Sequence, residues 1–537
     1  MSTTRKVLTV NRDRQLSLLD ETQAVTSHRK AQSTQRVFVS PDPNDIFLGA
    51  VSLKVHLRSA GLKAPFVIRD LLLEQDWREF ESQYHSRGRA PYAPMAMMGL
   101  ILYGVGQGIH SLRTLEQMAR VDLGCMWVSG GIGPDHSVIG QFIARHADLI
   151  SSGLFESLTA SVLKRSGGNS QQLAGDGTVI EAACSHYGLL HQEAVEAQHQ
   201  AARDAVDKVP DDATKQARLE QAEYTAELMR TRVEKKQAQG KSTEHLRISP
   251  TEPEAMVQRQ KRGRGSAPAY KPSILANEQR VVVAQAVDVS SETAVIPAML
   301  DQSESVSGQT TEALLLDAGY CCDAVIEEAL ERDINLLCPE GQIPGQGKAS
   351  TKYYTKGCFD YDESTDSYRC PAGEVLTAIS QYKGNDKAPA YTQYGTGACI
   401  GCVHKADCTR SKKGRRIKRY AGDEYKEALR QVMSQTGAKE LFSKRQAWVE
   451  PVFSVLRGQQ GLNRFRREGL PGVKVEFSLH LLAYNLGRAI AFSALSLLWQ
   501  IKRHHNAHQG TNLYTHNVWT SAFNPYQYLH TFCTVGL

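Results

Sequence analysis

Three carboxylates lie at positions where their side chains could do chemistry. Asp176 lies within residues 171–180 (QQLAGDGTVI), a predicted strand in which glycines flank it. Asp is disfavoured inside strands, so its presence between small neighbours indicates that something approaches the carboxylate closely, with an ordinary Asp-Gly turn as the alternative. Asp317 ends residues 313–317 (ALLLD), a predicted short buried strand, and Glu450 lies on a predicted helix.

The helix that carries Glu450 is predicted from the spacing of apolar residues between 441 and 467. Val449, Val452, Phe453 and Leu456 recur on one helical face, and Glu450 lies on the shoulder of that stripe. The pattern predicts one amphipathic helix that runs into a basic segment. A glutamate there suits a metal ligand in a fixed position, and it equally suits an ordinary residue at the boundary of a core.

Three carboxylates at one point repel one another unless cations neutralise them. Hard oxygen ligands with open positions suit Mg²⁺ or Mn²⁺. Two such ions, about 3.5–4 Å apart, can activate a water or a 3′-hydroxyl and stabilise the leaving oxygen at phosphorus. If the fold brings Asp176, Asp317 and Glu450 together, metal-dependent phosphodiester chemistry is the expected result.

A second constellation consists of cysteines. Cys370 is followed by the CxxC pair Cys399 and Cys402 and then by Cys408, a spacing that predicts a four-thiolate zinc site. His404 could replace one ligand, and Cys358 is a spare candidate. The alternative is a set of reduced thiols in a small β subdomain.

Basic residues cluster beside both constellations and are the predicted DNA contacts. Six cations fall within eight residues after the last cysteine, which favours contacts to phosphates over a random solvated face. The predicted DNA-binding residues are Lys412, Lys413, Arg415, Arg416, Arg457, Arg464, Arg466 and Arg467.

Composition sets outer bounds on these interpretations. The chain has 537 residues, 41% hydrophobic residues and a net charge of +6, which is enough for a sizeable core and two to four domains. Eleven unevenly spaced cysteines argue against a secreted disulfide scaffold. Without a run of transmembrane length or a signal-peptide pattern, we expect a soluble cytoplasmic protein that does not bind membranes.

The predicted elements give a mixed α/β order: strand, helical insertion, two strands, helix, strand, helix, strand. The first three strands are expected to be antiparallel, and the later ones to be added by helical crossovers. The expected divisions are a flexible basic arm (1–44), a helical domain for DNA binding or dimerisation (45–165), an α/β core (166–340 and 420–500) with a helical insertion (190–265), a Cys-rich insertion (341–419) and a tail (501–537).

Several blocks resemble the bacterial insertion-sequence transposases of the DDE class. LAGDGTVI, LLLDAGYCCDAVIEEA, WVEPVFSVLRGQQGLNRFRREG and LLAYNLGRA are similar to their catalytic blocks. Upstream, HSLRTLEQMARVDLGCMWVSGGIGPDHSVIGQF is similar to their N-terminal helical domain, and the cysteine pattern resembles a branch with an inserted zinc-binding segment. The matches run from roughly Pro91 to Phe492.

The resemblance implies an RNase H-like catalytic core in which Asp176, Asp317 and Glu450 are the metal-binding triad. A basic residue lies seven positions after the glutamate in many relatives, and Arg457 fits that place. Some relatives also have an arginine four positions before the glutamate. That place holds Gln446 here, so the adjacent Arg445 is kept only as a weak candidate.

The expected function is DNA transposition with Mg²⁺ or Mn²⁺. The expected partners are double-stranded DNA, namely terminal inverted repeats and target DNA, and a second copy in a homodimeric DNA complex, in the nucleoid of a bacterial cytoplasm. One alternative is a catalytically silent DNA-binding protein derived from a transposase, although retention of three carboxylates argues against it. Another is a structural zinc protein whose helical insertion binds other proteins.

Overall fold

The computed structural model describes residues 37–85, 88–259, 265–340, 354, 356–385 and 390–509. Most of the predicted basic arm, the basic loop near 261–265 and the end of the predicted tail lie outside these residues.

The N-terminal part is helical apart from one small hairpin. Strands β1 (Phe47–Leu48) and β2 (Val51–Ser52) pair antiparallel. The helices are α1 (Leu53–Ser59), α2 (Ala64–Leu73), α3 (Arg78–Ser82), α4 (Pro94–Gly106), α5 (Leu112–Val121), α6 (Leu123–Ser129), α7 (His136–Arg145) and α8 (Phe155–Ser166), with a short helical turn (Ala147–Leu149) and a π-helical segment (Ile150–Leu154) before α8.

Helix α7 shows how local sequence defines one of these elements. The side chain of Asp135 accepts a hydrogen bond from the backbone N–H of Val138 at 2.9 Å, which satisfies a donor at the helix N-terminus. Ile139, Phe142 and Ile143 are buried on one face. The cap at Asp135 and this apolar face together define the helix.

The central sheet has seven strands. They are β3 (Gln172–Gly177), β4 (Ile180–Glu181), β5 (Met256–Arg259), β6 (Ser266–Ala276), β7 (Val282–Asp288), β8 (Ala313–Leu315) and β9 (Asn335–Leu337). The path β4-β6-β3-β8-β9 forms the sheet, and β5 and β7 also pair with β6. β3, β6 and β7 run antiparallel in succession, whereas β8 joins β3 and β9 joins β8 in parallel. The order and directions of the five predicted strands are confirmed, and the sheet also contains β4 and β5, which were not predicted; β5 lies within the predicted helical insertion (190–265).

Helices connect or interrupt these strands as the sequence predicts. The insertion after β4 is a hairpin of α9 (Gln192–Lys208) and α10 (Ala213–Ala238) with its own small apolar cluster, which includes Val195, Met229 and Ile248. Helix α11 (Ile296–Ser307) precedes β8, and α12 (Asp323–Glu331) joins β8 to β9.

The Cys-rich segment contains a second, antiparallel sheet in the order β10-β11-β12-β13-β14. Its strands are β10 (Asp360–Asp362), β11 (Ser367–Arg369), β12 (Val375–Tyr382), β13 (Tyr391–Gly395) and β14 (Arg416–Tyr420), with a one-turn helix α13 (Lys405–Cys408) before β14. Phe359, Tyr368, Leu376, Tyr394 and Ile417 form its buried core. The Cys-rich segment therefore forms a small β subdomain.

Four helices end the described chain: α14 (Asp423–Ser434), α15 (Thr436–Ser443), α16 (Arg445–Gly458) and α17 (Gly469–Gln509). The stretch from 441 to 467 is predicted to be one helix that runs into a basic segment, and the predicted start of that helix is wrong. The helix that carries Glu450 begins at Arg445, after a break at Lys444, and ends at Gly458. Gly461 has a positive φ of 66°, a conformation that side chains disfavour, so the arginines at 464–467 lie on a loop.

The N-terminal helices and the central sheet share one hydrophobic core. Leu100 and Phe155 from the helical part belong to the same buried cluster as Leu314 of β8 and Leu482 of α17. Helix α17 packs against α2, α4, α8 and β7. Among the helices that the structure describes, none is long and apolar enough to cross a membrane.

Asn485 makes the polar connection at the centre of this core. It is fully buried on α17, accepts from Val282 N at 3.0 Å, and donates to Val282 O at 2.8 Å and to Thr159 Oγ1 at 3.1 Å. One side chain thus joins α17, β7 and α8.

We expect Asn485→Ala to lower the free energy of unfolding by about 2–4 kcal/mol, because it leaves buried backbone groups without partners. Asn335→Ala, which removes an exposed side chain that also bonds a carbonyl, should change stability by less than about 0.5 kcal/mol. Urea unfolding followed by circular dichroism measures both values. Equal losses in the two variants would contradict the role given to Asn485.

Candidate active site

Asp176 and Asp317 lie on neighbouring parallel strands. β3 and β8 pair through Ala174 and Leu315, so Asp176 near the end of β3 and Asp317 just past β8 reach the same edge of the sheet. Asp176 Oδ1 accepts the backbone N–H of Gly177 at 3.0 Å, and Asp317 Oδ1 accepts that of Gly319 at 2.8 Å. These bonds orient both carboxylates. The two Asp-bearing strands are thus direct neighbours in the sheet.

Arg445 lies between the two carboxylates. Its Nη2 is 3.1 Å from Asp176 Oδ1 and 3.7 Å from Asp317 Oδ2. Its Nε and Nη2 also donate to the carbonyl of Gly175, at 3.1 and 2.9 Å. The Arg445 side chain is 9% exposed, whereas those of Asp176 and Asp317 are 21% and 46% exposed. A nearly buried cation therefore neutralises two carboxylates that remain open to solvent.

The two glycines of AGDG are required by close packing. A Cβ on Gly175 would come within 2.4 Å of Leu316 Cδ2, and one on Gly177 would come within 2.9 Å of Tyr320 Oη and of Glu292 Cγ. The small neighbours of Asp176 were predicted to admit something that approaches the carboxylate. In the structure they admit side chains of this chain: Leu316 behind the strand, and Glu292 and Tyr320 beside it.

Glu450 lies on α16, the helix that runs alongside β3. Arg445, in the first turn of α16, bonds Gly175, and Arg457, in its last turn, donates to Thr178 Oγ1 and to the carbonyl of Val179. The helix therefore runs beside the strand in the same direction. Since seven residues are about two turns, Glu450 shares a helix face with Arg457. The buried stripe of Val449, Val452 and Leu456 is confirmed.

The third carboxylate does not complete a metal-binding cluster. Glu450 is exposed, whereas Asp176 and Asp317 meet around Arg445. Across the described ranges, no group of three or more His, Cys, Asp or Glu side chains is placed so that it could hold a metal ion. The oxygen donors of Asp176 and Asp317 fit Mg²⁺ in type, but Arg445 holds the position between them.

Three residues near Asp176 were undervalued or missed by the sequence. Arg445 was only a weak candidate, because it lies one position away from the expected slot. Glu292, which pairs with Lys271 at 3.6 Å, is brought to Gly177 by the loop after β7. Tyr320 is buried beside the same glycine, and burial raises its pKa, so its hydroxyl stays protonated. Tyr320 is part of the DAGY block, so the sequence motif could have identified it, whereas Glu292 belongs to no motif.

Several predicted DNA contacts have intramolecular roles. Arg457 bonds the strand end as described, and Arg464 donates to the carbonyls of Ala182 and Cys184 at 3.0 and 2.9 Å. Burial lowers the pKa of Arg467, whose backbone N–H donates to Glu476. Arg466, Lys412, Lys413 and Arg416 are exposed. DNA contact by the whole set remains a prediction.

The loop after α16 is fixed by a buried polar pair. His480 Nδ1 and Gln460 Oε1 are 2.8 Å apart, which joins α17 to this loop. Burial lowers the pKa of His480 to about 3, so the imidazole is neutral at physiological pH. A neutral histidine avoids an uncompensated charge in the core.

The predicted zinc ligands line one pocket. Cys370, Cys399, Cys402 and Cys408 surround it together with His404. Burial raises the pKa of the Cys408 thiol, the other three cysteines add to that rise, and Arg415 opposes it. The thiols thus converge, but among the described residues they are not placed closely enough to hold an ion. Zinc binding remains a prediction.

Replacing Arg445 tests how strongly the carboxylates depend on it. We expect Arg445→Gln to lower the free energy of unfolding by about 3 kcal/mol, because two carboxylates lose their counter-ion. The loss should be smaller in an Asp176→Asn background, since one repelling charge is then absent. Urea titrations of the four proteins in the double-mutant cycle give the coupling.

Arg430→Gln is the matched control for this cycle. Arg430 pairs with Glu340 at 2.9 Å on the surface, where a salt bridge contributes about 0–1 kcal/mol. The assigned charge balance would be contradicted if Arg445→Gln lowered the free energy of unfolding no more than Arg430→Gln does. It would also be contradicted if the loss were the same in the Asp176→Asn background.

Comparisons with known proteins identify two matched segments. A family model described as a transposase DDE domain matches residues 369–490, which include strands β12 to β14 of the Cys-rich sheet, Arg445 and Glu450. A second model, described as a transposase domain (DUF772), matches residues 66–145 in the N-terminal helices. A search of curated proteins found no match. Together, the two matched segments support a DDE-type transposase.

Proposed function

We propose that this chain is the DNA transposase of an insertion sequence. It binds terminal inverted repeats, hydrolyses phosphodiester bonds at the element ends and transfers the 3′-hydroxyls to target DNA. The observation that carries the proposal is the meeting of Asp176 and Asp317 on adjacent strands around Arg445, in a chain whose matched domains indicate a transposase.

An RNase H-like core is part of this proposal. Support comes from the sheet, in which the antiparallel strands β3, β6 and β7 are followed by the parallel strands β8 and β9. Support also comes from α16, which packs along β3. Glu450 is on the same face of this helix as Arg457, and Arg457 bonds the end of β3.

Asp176, Asp317 and Glu450 are the proposed holders of Mg²⁺ or Mn²⁺. When bound, such ions supply charge neutralisation at the phosphate and activation of the attacking hydroxyl or water. The residues of this chain contribute orientation. Gly177 N–H and Gly319 N–H fix the two aspartates, and Arg445 holds the strand end to α16 through the Gly175 carbonyl.

The basic residues complete the proposed DNA interface. Exposed Lys412, Lys413 and Arg416 lie on the Cys-rich module, and Arg466 lies on the loop after α16. Their charges suit phosphate contacts. Since two element ends must be joined, we propose a homodimer on DNA, in the nucleoid of a bacterial cytoplasm.

Structural zinc is the second metal in the proposal. The shared pocket of Cys370, Cys399, Cys402 and Cys408 supports it, because four thiolates are a common ligand set of structural zinc.

Cleavage of a supercoiled plasmid that carries the element ends tests the catalytic assignment. We expect Asp176→Asn, Asp317→Asn and Glu450→Gln each to reduce Mg²⁺-dependent nicking by at least about 100-fold, since each removes a charge that positions the ions. EDTA should abolish nicking by the unaltered protein.

Glu363→Gln is the control, because Glu363 is an exposed carboxylate in the turn after β10, and it should nick normally. Full nicking by Glu450→Gln would remove Glu450 from the triad. The absence of nicking by every protein, with DNA binding retained, would instead favour the catalytically silent DNA-binding alternative.

Metal analysis of the purified protein tests the zinc assignment. We expect about one zinc per chain, lost in Cys399→Ser and Cys408→Ser, because a structural site needs all four ligands. Cys358→Ser should retain the metal, since Cys358 does not line the pocket. Zinc retention in Cys399→Ser together with its loss in Cys358→Ser would show that the assigned ligand set is wrong.

A further inference from the structure

One face of the Cys-rich sheet is packed and the other is open. Tyr368, Leu376, Tyr394 and Ile417 are buried on the packed face. On the same side, Arg419 donates to Glu427 of α14 at 2.9 Å, which joins the sheet to the rest of the chain. On the other face, Val375 and Ile379 of β12 are 42% and 48% exposed.

The register places three tyrosines side by side on the open face. Tyr382 is directly opposite Tyr391, and Tyr391 is directly opposite Tyr420, so all three point to the same side. Their ring centroids are 5.2 Å and 5.6 Å apart. None of the three is fully buried. An aromatic row thus crosses β12, β13 and β14.

Two further rows on this face carry polar and basic side chains. Gln393 is opposite Lys418, and Gly395 is opposite Arg416. The Lys418 ammonium is 4.1 Å from the centroid of the Tyr391 ring, so the cation lies directly beside the aromatic row. Lys418 and Arg416 are exposed.

The three strands that carry the tyrosines have charge of one sign. Strands β12 (VLTAISQY), β13 (YTQYG) and β14 (RIKRY) contain no acidic residue. Asp360 and Asp362 of β10, opposite Arg369 and Ser367, are at the far edge of the sheet. A polyanion therefore meets attraction across the three strands that carry the tyrosines.

We propose that this face, which we call the tyrosine face (Tyr382, Tyr391, Tyr420, Arg416 and Lys418), binds single-stranded DNA. Unpaired bases stack on aromatic side chains, and cations follow the phosphates beside them. Duplex DNA offers phosphates but keeps its base faces stacked within the helix, so it cannot use the tyrosine row. The inference goes beyond the proposed cleavage reaction, because the tyrosine face lies on a separate sheet from the three carboxylates.

Fluorescence anisotropy with a labelled 20-nucleotide oligo-dT, measured on the full chain in EDTA, tests the proposal. We expect Tyr391→Ala to weaken binding about tenfold, which corresponds to the loss of one stacked base. Tyr391→Phe should bind as the unaltered protein does, because the ring is retained. Tyr224→Ala, which removes a partly exposed tyrosine of α10, is the control and should bind normally.

The charged part of the tyrosine face is tested by salt dependence. Lys418→Gln should reduce the slope of log affinity against log salt by about 0.7, the value of one phosphate contact on a single strand. Thermal melting of each variant confirms that the sheet remains folded.

Equal oligo-dT affinity for Tyr391→Ala and the unaltered protein would overturn the proposal. The proposal would also be overturned if a 20-base-pair duplex bound more tightly than oligo-dT and Tyr391→Ala weakened both to the same extent. The face would then contact duplex DNA. Since EDTA prevents cleavage, these outcomes are independent of the catalytic assignment.

Discussion

The candidate site depends on the position of one guanidinium, that of Arg445, between two carboxylates. Asp176 and Asp317 are held at the same edge of the sheet by backbone hydrogen bonds, and their charges would repel each other without a counter-ion. Arg445 supplies that counter-ion and, through the Gly175 carbonyl, attaches α16 to β3. The rest of the α/β core keeps this arrangement in place: the glycines admit the neighbouring side chains, and the buried stripe of α16 fixes the helix.

The same arrangement has a cost for metal binding. A guanidinium between two carboxylates occupies the space in which an ion would meet them. An ion therefore has to compete with Arg445, and Glu450 lies outside the present cluster. Arg445 has a second anchor in the Gly175 carbonyl, so the side chain can lose contact with the carboxylates without leaving the strand. Charge balance and helix attachment are thus separable functions of one residue.

The sequence was informative where local pattern decides structure. The run ALLLD and the apolar stripe of α16 determine their elements locally, and the sequence also predicted the order of the strands. Arg445 was undervalued because a motif counts positions along one helix, whereas its hydrogen-bond partner Gly175 is 270 residues away on β3. Glu292 was missed for a similar reason: a loop places it beside Gly177, and no periodic pattern records that contact. The break in the helix at Lys444 was not predicted, because the apolar spacing continues across it.

The order in which the chain is synthesised gives the shared core a further consequence. Gly175 leaves the ribosome 270 residues before Arg445 does, an interval of roughly 15–50 s at about 5–20 residues per second. Helix α17, which covers α2, α4 and α8, emerges later still. During this interval the apolar faces of the N-terminal helices are uncovered, and the two aspartates have no counter-ion. Folding of this core is therefore a late event, because it needs the long helix α17 that closes it.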